Sequence, residues 1–143
     1  VGKVVLQSAI YETAAWGFEA QNSFYNCVLC VITEKSADEV LDKVLSIEQQ
    51  IGRVRDETKW KERIIDIDIL FYEDAIIEQD NLSVPHPYLH QRKFTLIPLQ
   101  EIAPNIQHPV LKKSVEQLLN DCEDTLDVKK VYEANQFFHS LQS

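Results

Sequence analysis

The sequence contains no methionine, only three glycines and only five prolines among its 143 residues. So little glycine and proline excludes collagen-like chains and proline-rich linkers. No apolar run approaches the ~20 residues that a transmembrane helix needs, and the first residues lack the basic-then-apolar pattern of a signal peptide. We therefore expect a cytoplasmic protein without a membrane partner. From the missing methionine we also expect that the native N-terminus is absent from the chain.

Cysteine is scarce as well, and the three cysteines are Cys27, Cys30 and Cys122. An odd count argues against a disulfide framework. Cys27 and Cys30 lie three residues apart in a predicted strand, so their side chains should point to opposite faces. This spacing disfavours a metal-binding pair, and we expect both side chains to pack in the core.

Positive charge is in deficit, with 14 Lys and Arg against 23 Asp and Glu and a net charge of −9. This balance disfavours broad electrostatic binding to DNA or RNA, although a local basic patch could bind a small anion. Apolar residues make up 45% and charged residues 26% of the chain, which is typical of a globular protein. The length predicts a single domain over residues 1–143.

Alternation and helical periodicity predict strands and helices in an irregular order. Strands are predicted over residues 3–11, 24–33, 64–72, 76–77 and 82–84, the second of them central because it is nearly all apolar. Helices are predicted from the capping box of Ser36 and Glu39 to Gly52, over residues 94–102, where Pro98 should start or kink the helix, and from Ser114 to Leu119. Without a regular βαβ alternation, the predicted class is α+β.

The most informative segment surrounds Asp66 and Asp68, which project from one face of an otherwise apolar predicted strand. Their β-carbons should lie ~7 Å apart. Two like charges that close repel unless a cation lies between them, and hard oxygen ligands favour Mg²⁺. Five basic residues precede the pair, and carboxylates beside guanidinium groups are typical of phosphoryl transfer. These residues are Arg53, Arg55, Lys59, Lys61 and Arg63.

Less specific interpretations remain open for each of these features. The two aspartates could simply be solvated on a surface strand. His86 and His90 have the spacing of a zinc pair on a helix, but Pro87 between them favours an anion-binding or solvated turn histidine. Asn26 is unusual in an apolar strand, and its amide could find partners in the sheet or in a polar heterocycle.

The motifs of this chain resemble the 6-hydroxymethyl-7,8-dihydropterin pyrophosphokinases of folate biosynthesis. The resemblance extends from about residue 8 to residue 104, in order and in spacing. Its most specific part is the Arg-x-x-Asp-x-Asp segment followed by Val-Pro-His. The matching motifs are Tyr11-Glu-Thr13, Phe24-Tyr-Asn26, Ile47-Glu48, Gly52-Arg-Val-Arg55, Trp60, Arg63 to Asp68, Val84-Pro-His86, Arg92-Lys-Phe94 and Pro98 to Pro104.

The resemblance implies an enzyme that transfers pyrophosphate from ATP to the pterin hydroxymethyl group and releases AMP. It implies a ferredoxin-like sandwich around an antiparallel sheet, two Mg²⁺ ions, ATP as co-substrate and a monomer acting on small molecules. The implied catalytic residues are Arg53, Arg63, Asp66 and Asp68, the two aspartates also being the metal ligands. The implied pterin residues are Thr13, Ala14, Trp16, Phe24, Asn26, Trp60 and Phe94, and the implied ATP residues are Glu48, Arg55, Ser83, His86 and Arg92.

The chain also departs from the family pattern. Lys61-Glu62 replaces Gly-Pro in the loop that the family closes over its site, and Ala14-Ala15 replaces a pair of prolines. The family's first strand and helix are missing, so we expect a chain trimmed at its N-terminus. Two other interpretations stay open: a non-catalytic module that binds a small ligand, and an inactive truncated fragment of the same enzyme.

Overall fold

The computed structural model describes residues 1–14, 23–54 and 65–134, without the side chains of residues 53 and 54. These parts contain seven strands and three α-helices, with a 3₁₀ turn at Leu89–Gln91. The strands are β1 Lys3–Gln7, β2 Ile10–Ala14, β3 Ser23–Asn26, β4 Leu29–Ile32, β5 Ile77–Gln79, β6 Leu82–Val84 and β7 Val128–Tyr132. The helices are α1 Ala37–Val54, α2 Lys93–Ile102 and α3 Val115–Asp121. No helix of the described residues is long and apolar enough to cross a membrane.

All strand pairs of the described residues are antiparallel, which agrees with the predicted α+β class. They form a three-stranded sheet in the order β3-β2-β7 and two two-stranded sheets, β1-β4 and β5-β6. Helix α2 contacts all three strands of the larger sheet. The side chains of β2 and β3 and the first turn of α2 are therefore neighbours.

The helix starts follow the predicted capping boxes. Ser36 Oγ accepts the N–H of Glu39 at 3.2 Å, and the Glu39 carboxylate accepts the N–H of Ser36 at 2.8 Å. Ser114 and Gln117 make the same reciprocal pair at α3. The predicted end of α1 at Gly52 is wrong, since the helix continues to Val54. Gly52 does not adopt the left-handed backbone that ends a helix.

Two of the predicted strands differ from the structure. The stretch 24–33 is interrupted at residues 27–28, and its halves are an edge strand, β3, and a member of a separate pair, β4. It is therefore not a central strand in the described parts of the chain. Cys27 lies at the interruption and is exposed, so its predicted core packing is wrong. Residues 65–72 form no strand ladder with the other described residues, so the strand predicted over residues 64–72 is not found in the described parts of the chain.

Ser8 lies between β1 and β2, opposite the interruption between β3 and β4, and bonds to residue 28 there. Ser8 is fully buried, and its hydroxyl accepts the N–H of Val28 at 2.9 Å. Its own N–H donates to the Val28 carbonyl, also at 2.9 Å. The predicted single strand over residues 3–11 is therefore two strands, β1 and β2, separated by a break at residues 8–9 that is bonded to residue 28. The apolar core contains Leu89, Leu96, Leu99, Val115 and Leu118 in one cluster and Ala37, Leu82 and Val84 in another.

Glu101 links the C-terminal part of α2 to β2. Its Oε1 accepts the Tyr11 hydroxyl at 2.7 Å and the Ala9 N–H at 3.1 Å. Both donors belong to buried residues, with Tyr11 7% and Ala9 0% exposed. Burial first, and then the bond to Glu101, raise the pKa of Tyr11, so this hydroxyl stays protonated and donates.

Glu101→Ala is expected to lower the free energy of unfolding by about 1–3 kcal/mol, because it leaves two buried donors unsatisfied. Glu101→Gln retains an acceptor oxygen and should lose less. Urea unfolding of both variants measures the difference. Equal losses would show that the contact is not a hydrogen-bonded link.

His108 is 5% exposed, and its ring lies edge-on to Phe71 with His90 6.4 Å away. Its Nδ1 accepts the N–H groups of Val110 at 3.2 Å and Leu111 at 3.0 Å. Protonation of Nδ1 would break both bonds. Burial, and secondly the nearby His90, lower the pKa of His108 below its usual 6.5.

We expect the unfolding free energy to fall as the pH drops below about 6.5, the pKa of an unfolded histidine. The unfolded chain takes up the proton first, so the stability is present above that pKa and is lost as the pH falls through the folded pKa. His108→Asn retains an acceptor but cannot titrate, and it should reduce this slope. Urea unfolding between about pH 5 and 7.5 tests the prediction, which an unchanged slope would contradict.

Candidate functional site

Strands β2 and β3 place three of the predicted site residues side by side. Thr13 pairs with Phe24 and Tyr11 pairs with Asn26 in the antiparallel register. Because alternate residues of a strand share a face, Phe24 and Asn26 project from the same side of β3. The local order of the chain therefore puts an aromatic ring next to a carboxamide.

Helix α2 brings a second ring to this place. The ring centroids of Phe24 and Phe94 are 5.2 Å apart, and their planes are perpendicular. A flat heterocycle stacked between two rings needs about 7 Å between them, twice the contact distance of carbon atoms. The two rings touch each other in this structure, so a ligand that enters between them must separate them.

Two oxygen atoms near the rings have no hydrogen-bond partner in the described parts of the chain. They are Oγ1 of Thr13 and Oδ1 of Asn26, and both are buried. Thr13 is fully buried. A buried polar atom without a partner is costly, and a ligand that donates to it recovers this cost. These oxygens are suited to the N–H groups of a polar heterocycle.

The carboxylate pair lies on the segment that follows the undescribed residues 55–64. Asp66 and Asp68 are exposed, while Ile67 and Ile69 between and after them are half-buried. The segment is held to α1 by Glu48, whose Oε2 accepts the Ile67 N–H at 2.6 Å. Glu48 thus has a structural contact in addition to its predicted role toward ATP.

A cleft of about 260 Å³ opens beside Asp68. Asp68 and His86 face each other across 3.9 Å between Oδ2 and Nε2. Burial lowers the pKa of His86, with Arg92 acting in the same direction and Asp68 opposing them. The His86 backbone is fixed by the bond from its N–H to the Leu70 carbonyl at 2.9 Å. The cleft is also lined by Leu41, Ile67, Ile69, Asp80, Asn81, Leu82, Ser83 and Pro87.

Arg92 connects the aromatic pair to this cleft. Its guanidinium carbon lies 5.7 Å from the Phe94 ring centroid and 5.2 Å from that of Tyr88, which are distances of cation–π contacts. Tyr88 in turn lies 6.0 Å from the His86 ring. A continuous row of side chains therefore runs from Phe24 to Asp68, with a cation in its middle.

The structure places most of the predicted site residues around this row. Ala14 ends β2, and Ser83 is the exposed middle residue of β6. Arg53 lies in the last turn of α1. The predictions for Trp16, Arg55, Trp60 and Arg63, and for the side chain of Arg53, lie outside the described residues. Sequence reasoning missed Tyr88, Asp80 and Asn81. The available signal for Tyr88 was an aromatic residue two positions after His86, and the signal for Asp80 and Asn81 was the polar turn before Ser83.

The donor set is compatible with Mg²⁺ bound together with a phosphate ligand. The described residues contain no group of three or more His, Cys, Asp or Glu side chains arranged for a metal ion. Mg²⁺ commonly takes one or two carboxylates, keeps several waters and completes its shell with substrate phosphates. Asp66 and Asp68 match that requirement in number and in chemistry.

Comparison with known proteins identifies what the chain is similar to. Residues 1–104 match the model of the 7,8-dihydro-6-hydroxymethylpterin-pyrophosphokinase (HPPK) family. The chain is 44% identical over 110 residues to the 2-amino-4-hydroxy-6-hydroxymethyldihydropteridine pyrophosphokinase of Aquifex aeolicus, covering 77% of this chain and 68% of that protein. It is 43% identical over 104 residues to the protein of the same name from Methylorubrum extorquens, covering 73% and 65%. Over 104 residues it is also 41% identical to the folic acid synthesis protein FOL1 of Dictyostelium discoideum, covering 73% of this chain and 16% of that protein.

Proposed function

Because the chain belongs to the 7,8-dihydro-6-hydroxymethylpterin-pyrophosphokinase family, we propose that it transfers pyrophosphate from ATP to 6-hydroxymethyl-7,8-dihydropterin. The pterin hydroxyl oxygen attacks the β-phosphorus and its proton is released to solvent, the bond from that phosphorus to the α-phosphate oxygen breaks, and AMP leaves. The observation that carries this proposal is the pair of unpartnered buried oxygens, of Thr13 and Asn26, beside two aromatic rings. The role of each residue below is part of the same proposal.

The pterin binds between Phe24 and Phe94 once the rings separate. A flat heterocycle gains dispersion and desolvation energy against both rings, as aromatic partners generally do. Its ring N–H and amino groups donate to Asn26 Oδ1 and Thr13 Oγ1, which orients the hydroxymethyl group. Ala14 lies at the edge of this pocket, next to Thr13.

The nucleotide binds at the cleft between Asp68 and His86, with Ser83, Glu48 and Arg92 around it. Arg92 faces both halves of the site, so its charge favours phosphates placed between the pterin and the cleft. The lowered pKa of His86 keeps its imidazole neutral near pH 7, where it can act as a hydrogen-bond donor or acceptor.

Asp66 and Asp68 would hold two Mg²⁺ ions, which neutralise phosphate charge and polarise the phosphoryl group. The chain contributes by presenting both carboxylates from one segment, whose position is set by the bond between Glu48 and Ile67. The predicted contributions of Trp16, Arg53, Arg55, Trp60 and Arg63 belong to the proposal through the family resemblance alone.

Further parts of the proposal are a ferredoxin-like arrangement of the sheet, a monomeric state and a cytoplasmic location, where ATP is available. The net charge of −9 is consistent with small-molecule substrates rather than nucleic acid.

Chromatographic detection of AMP tests the reaction directly. The protein is incubated with ATP and Mg²⁺, with and without 6-hydroxymethyl-7,8-dihydropterin. AMP that forms only with the pterin, in equal amount to the pterin pyrophosphate, supports the proposal. If calorimetry shows that the pterin binds but no AMP forms, the non-catalytic module is favoured. If the pterin neither binds nor gives AMP, the proposed function is contradicted.

A further inference from the structure

Helix α2 begins without a cap from its own sequence. Its N-cap residue, Arg92, makes no side-chain capping bond. The Arg92 carbonyl accepts the N–H groups of Thr95 and Leu96, each at 3.0 Å. The N–H of Lys93 has no acceptor in this turn, and the first N–H groups of a helix need a partner from elsewhere. Lys93 lies between the two site residues Arg92 and Phe94.

That partner comes from 31 positions further along the chain. Oδ2 of Asp124 accepts the Lys93 N–H at 2.9 Å. Oδ1 of the same carboxylate accepts the N–H of Leu126 at 3.0 Å, which fixes the side chain in one orientation. A carboxylate at this end of a helix is also favoured by the helix dipole.

The same short segment is bound to the opposite wall of the pterin pocket. The Asp127 carbonyl accepts the Ala14 N–H at 3.1 Å, and Val128 pairs with Thr13 at the start of β7. Residues 124–128 therefore touch β2 at Thr13 and Ala14, and α2 at the residue before Phe94. This segment lies after residues 1–104, which match the family model.

We propose that Asp124 is a positioning residue that holds the first turn of α2, and with it the Phe94 ring, at a set distance from β2 and β3. The inference rests on the proposed function, since the ligand whose binding depends on this distance is the pterin. Two observations restrict the effect of Asp124 to the first turn. The other end of α2 is held separately by Glu101, which binds Tyr11 and Ala9, and the middle of the helix is anchored by buried Leu96 and Leu99.

The test compares Asp124→Ala with Asp121→Ala. Asp121 is a matched control, because its carboxylate accepts a hydrogen bond from Lys113 at 2.7 Å on the exposed side of the neighbouring helix. Calorimetry of the full chain with 6-hydroxymethyl-7,8-dihydropterin, and separately with α,β-methylene-ATP and Mg²⁺, measures both affinities. Asp124→Ala should weaken the pterin affinity about fivefold, the size of a typical capping loss, and the nucleotide affinity by less than about twofold. Asp121→Ala should change neither.

Amide hydrogen exchange gives a readout that does not depend on any ligand. In Asp124→Ala the Lys93 amide should lose its protection while the amides of Leu96 and Leu99 keep theirs. Asp124→Asn has one acceptor oxygen instead of two, so its pterin affinity should lie between those of the wild type and Asp124→Ala. This variant should also fold if Asp124→Ala does not.

The outcomes separate the inference from the proposed function. Wild-type protein that does not bind the pterin would overturn both. Wild-type protein that binds the pterin, with Asp124 variants matching Asp121→Ala or losing both ligands equally, would overturn the role of Asp124 alone. Selective loss of pterin affinity together with an exposed Lys93 amide would support it.

Discussion

Replacing Asp68 by alanine is expected to lower the turnover number by about a thousandfold or more, because a lost metal carboxylate removes several kcal/mol of charge stabilisation. Asp68 is exposed and faces His86 across the cleft at 3.9 Å, so it is placed to act on a ligand there. The same substitution at Asp66 should have an effect of similar size, because the proposal assigns both carboxylates to the metal ions.

The fold should survive the Asp68 substitution. The contact of the exposed Asp68 carboxylate with His86 contributes little to stability, because the lowered pKa of His86 keeps that ring neutral near pH 7. The circular dichroism spectrum and the free energy of unfolding in urea should therefore be close to those of the wild type, while the rate of AMP formation should be very low.

Asp74→Ala is the matched control for this experiment. Asp74 lies on the exposed turn that follows the same segment and does not line the cleft. It should retain near-normal turnover over the whole range of Mg²⁺ concentrations. Near-normal activity of Asp68→Ala at limiting Mg²⁺ would show that this carboxylate holds no metal.

Asn26→Ala is expected to weaken pterin binding by 1–3 kcal/mol, or about 5- to 150-fold, with much less effect on ATP. The Oδ1 atom of Asn26 is buried and has no hydrogen-bond partner in the described parts of the chain. Its removal therefore deprives the ligand of an acceptor without breaking an intramolecular bond to that oxygen. For the same reason, the free energy of unfolding should change little.

Separate calorimetric titrations with the pterin and with α,β-methylene-ATP measure this selectivity. Asn105→Ala, at an exposed turn after α2 and outside the set of site residues, is the control and should change neither affinity. Equal losses of both ligands in Asn26→Ala, accompanied by lower stability, would indicate a structural role for the amide instead.

Local signals were the reliable ones in this chain. The capping boxes of Ser36 and Ser114 marked the starts of α1 and α3, because the bonds they form reach only three residues along the chain. The hairpin β5-β6 was also visible, since a polar turn between two short apolar stretches needs no distant partner. Asn26 was also recognisable from its local sequence, as an amide within an apolar stretch.

Patterns that depend on distant partners were less reliable. The apolar stretch 24–33 suggested one central strand, but the strand order and the break at residues 27–28 depend on Ser8, twenty positions earlier. Pro98 suggested a start or a kink within the predicted helix, yet α2 extends from Lys93 to Ile102. A proline there removes the N–H that would reach the Phe94 carbonyl and crowds that carbonyl, and burial of Pro98 with Leu96 and Leu99 retains the helix.

The sequence by itself determined which chemical groups this protein has: a carboxylate pair, a histidine after Val-Pro, an isolated amide and the aromatic residues of a recognisable family. Only the tertiary structure decided which of them meet. Phe24 and Phe94 touch across seventy positions, and Asp124 caps the helix that carries Phe94. Such contacts depend on the packing of α2 against β2, β3 and β7. Local periodicity does not encode this packing, because the energy that stabilises it comes from contacts between residues far apart in the chain.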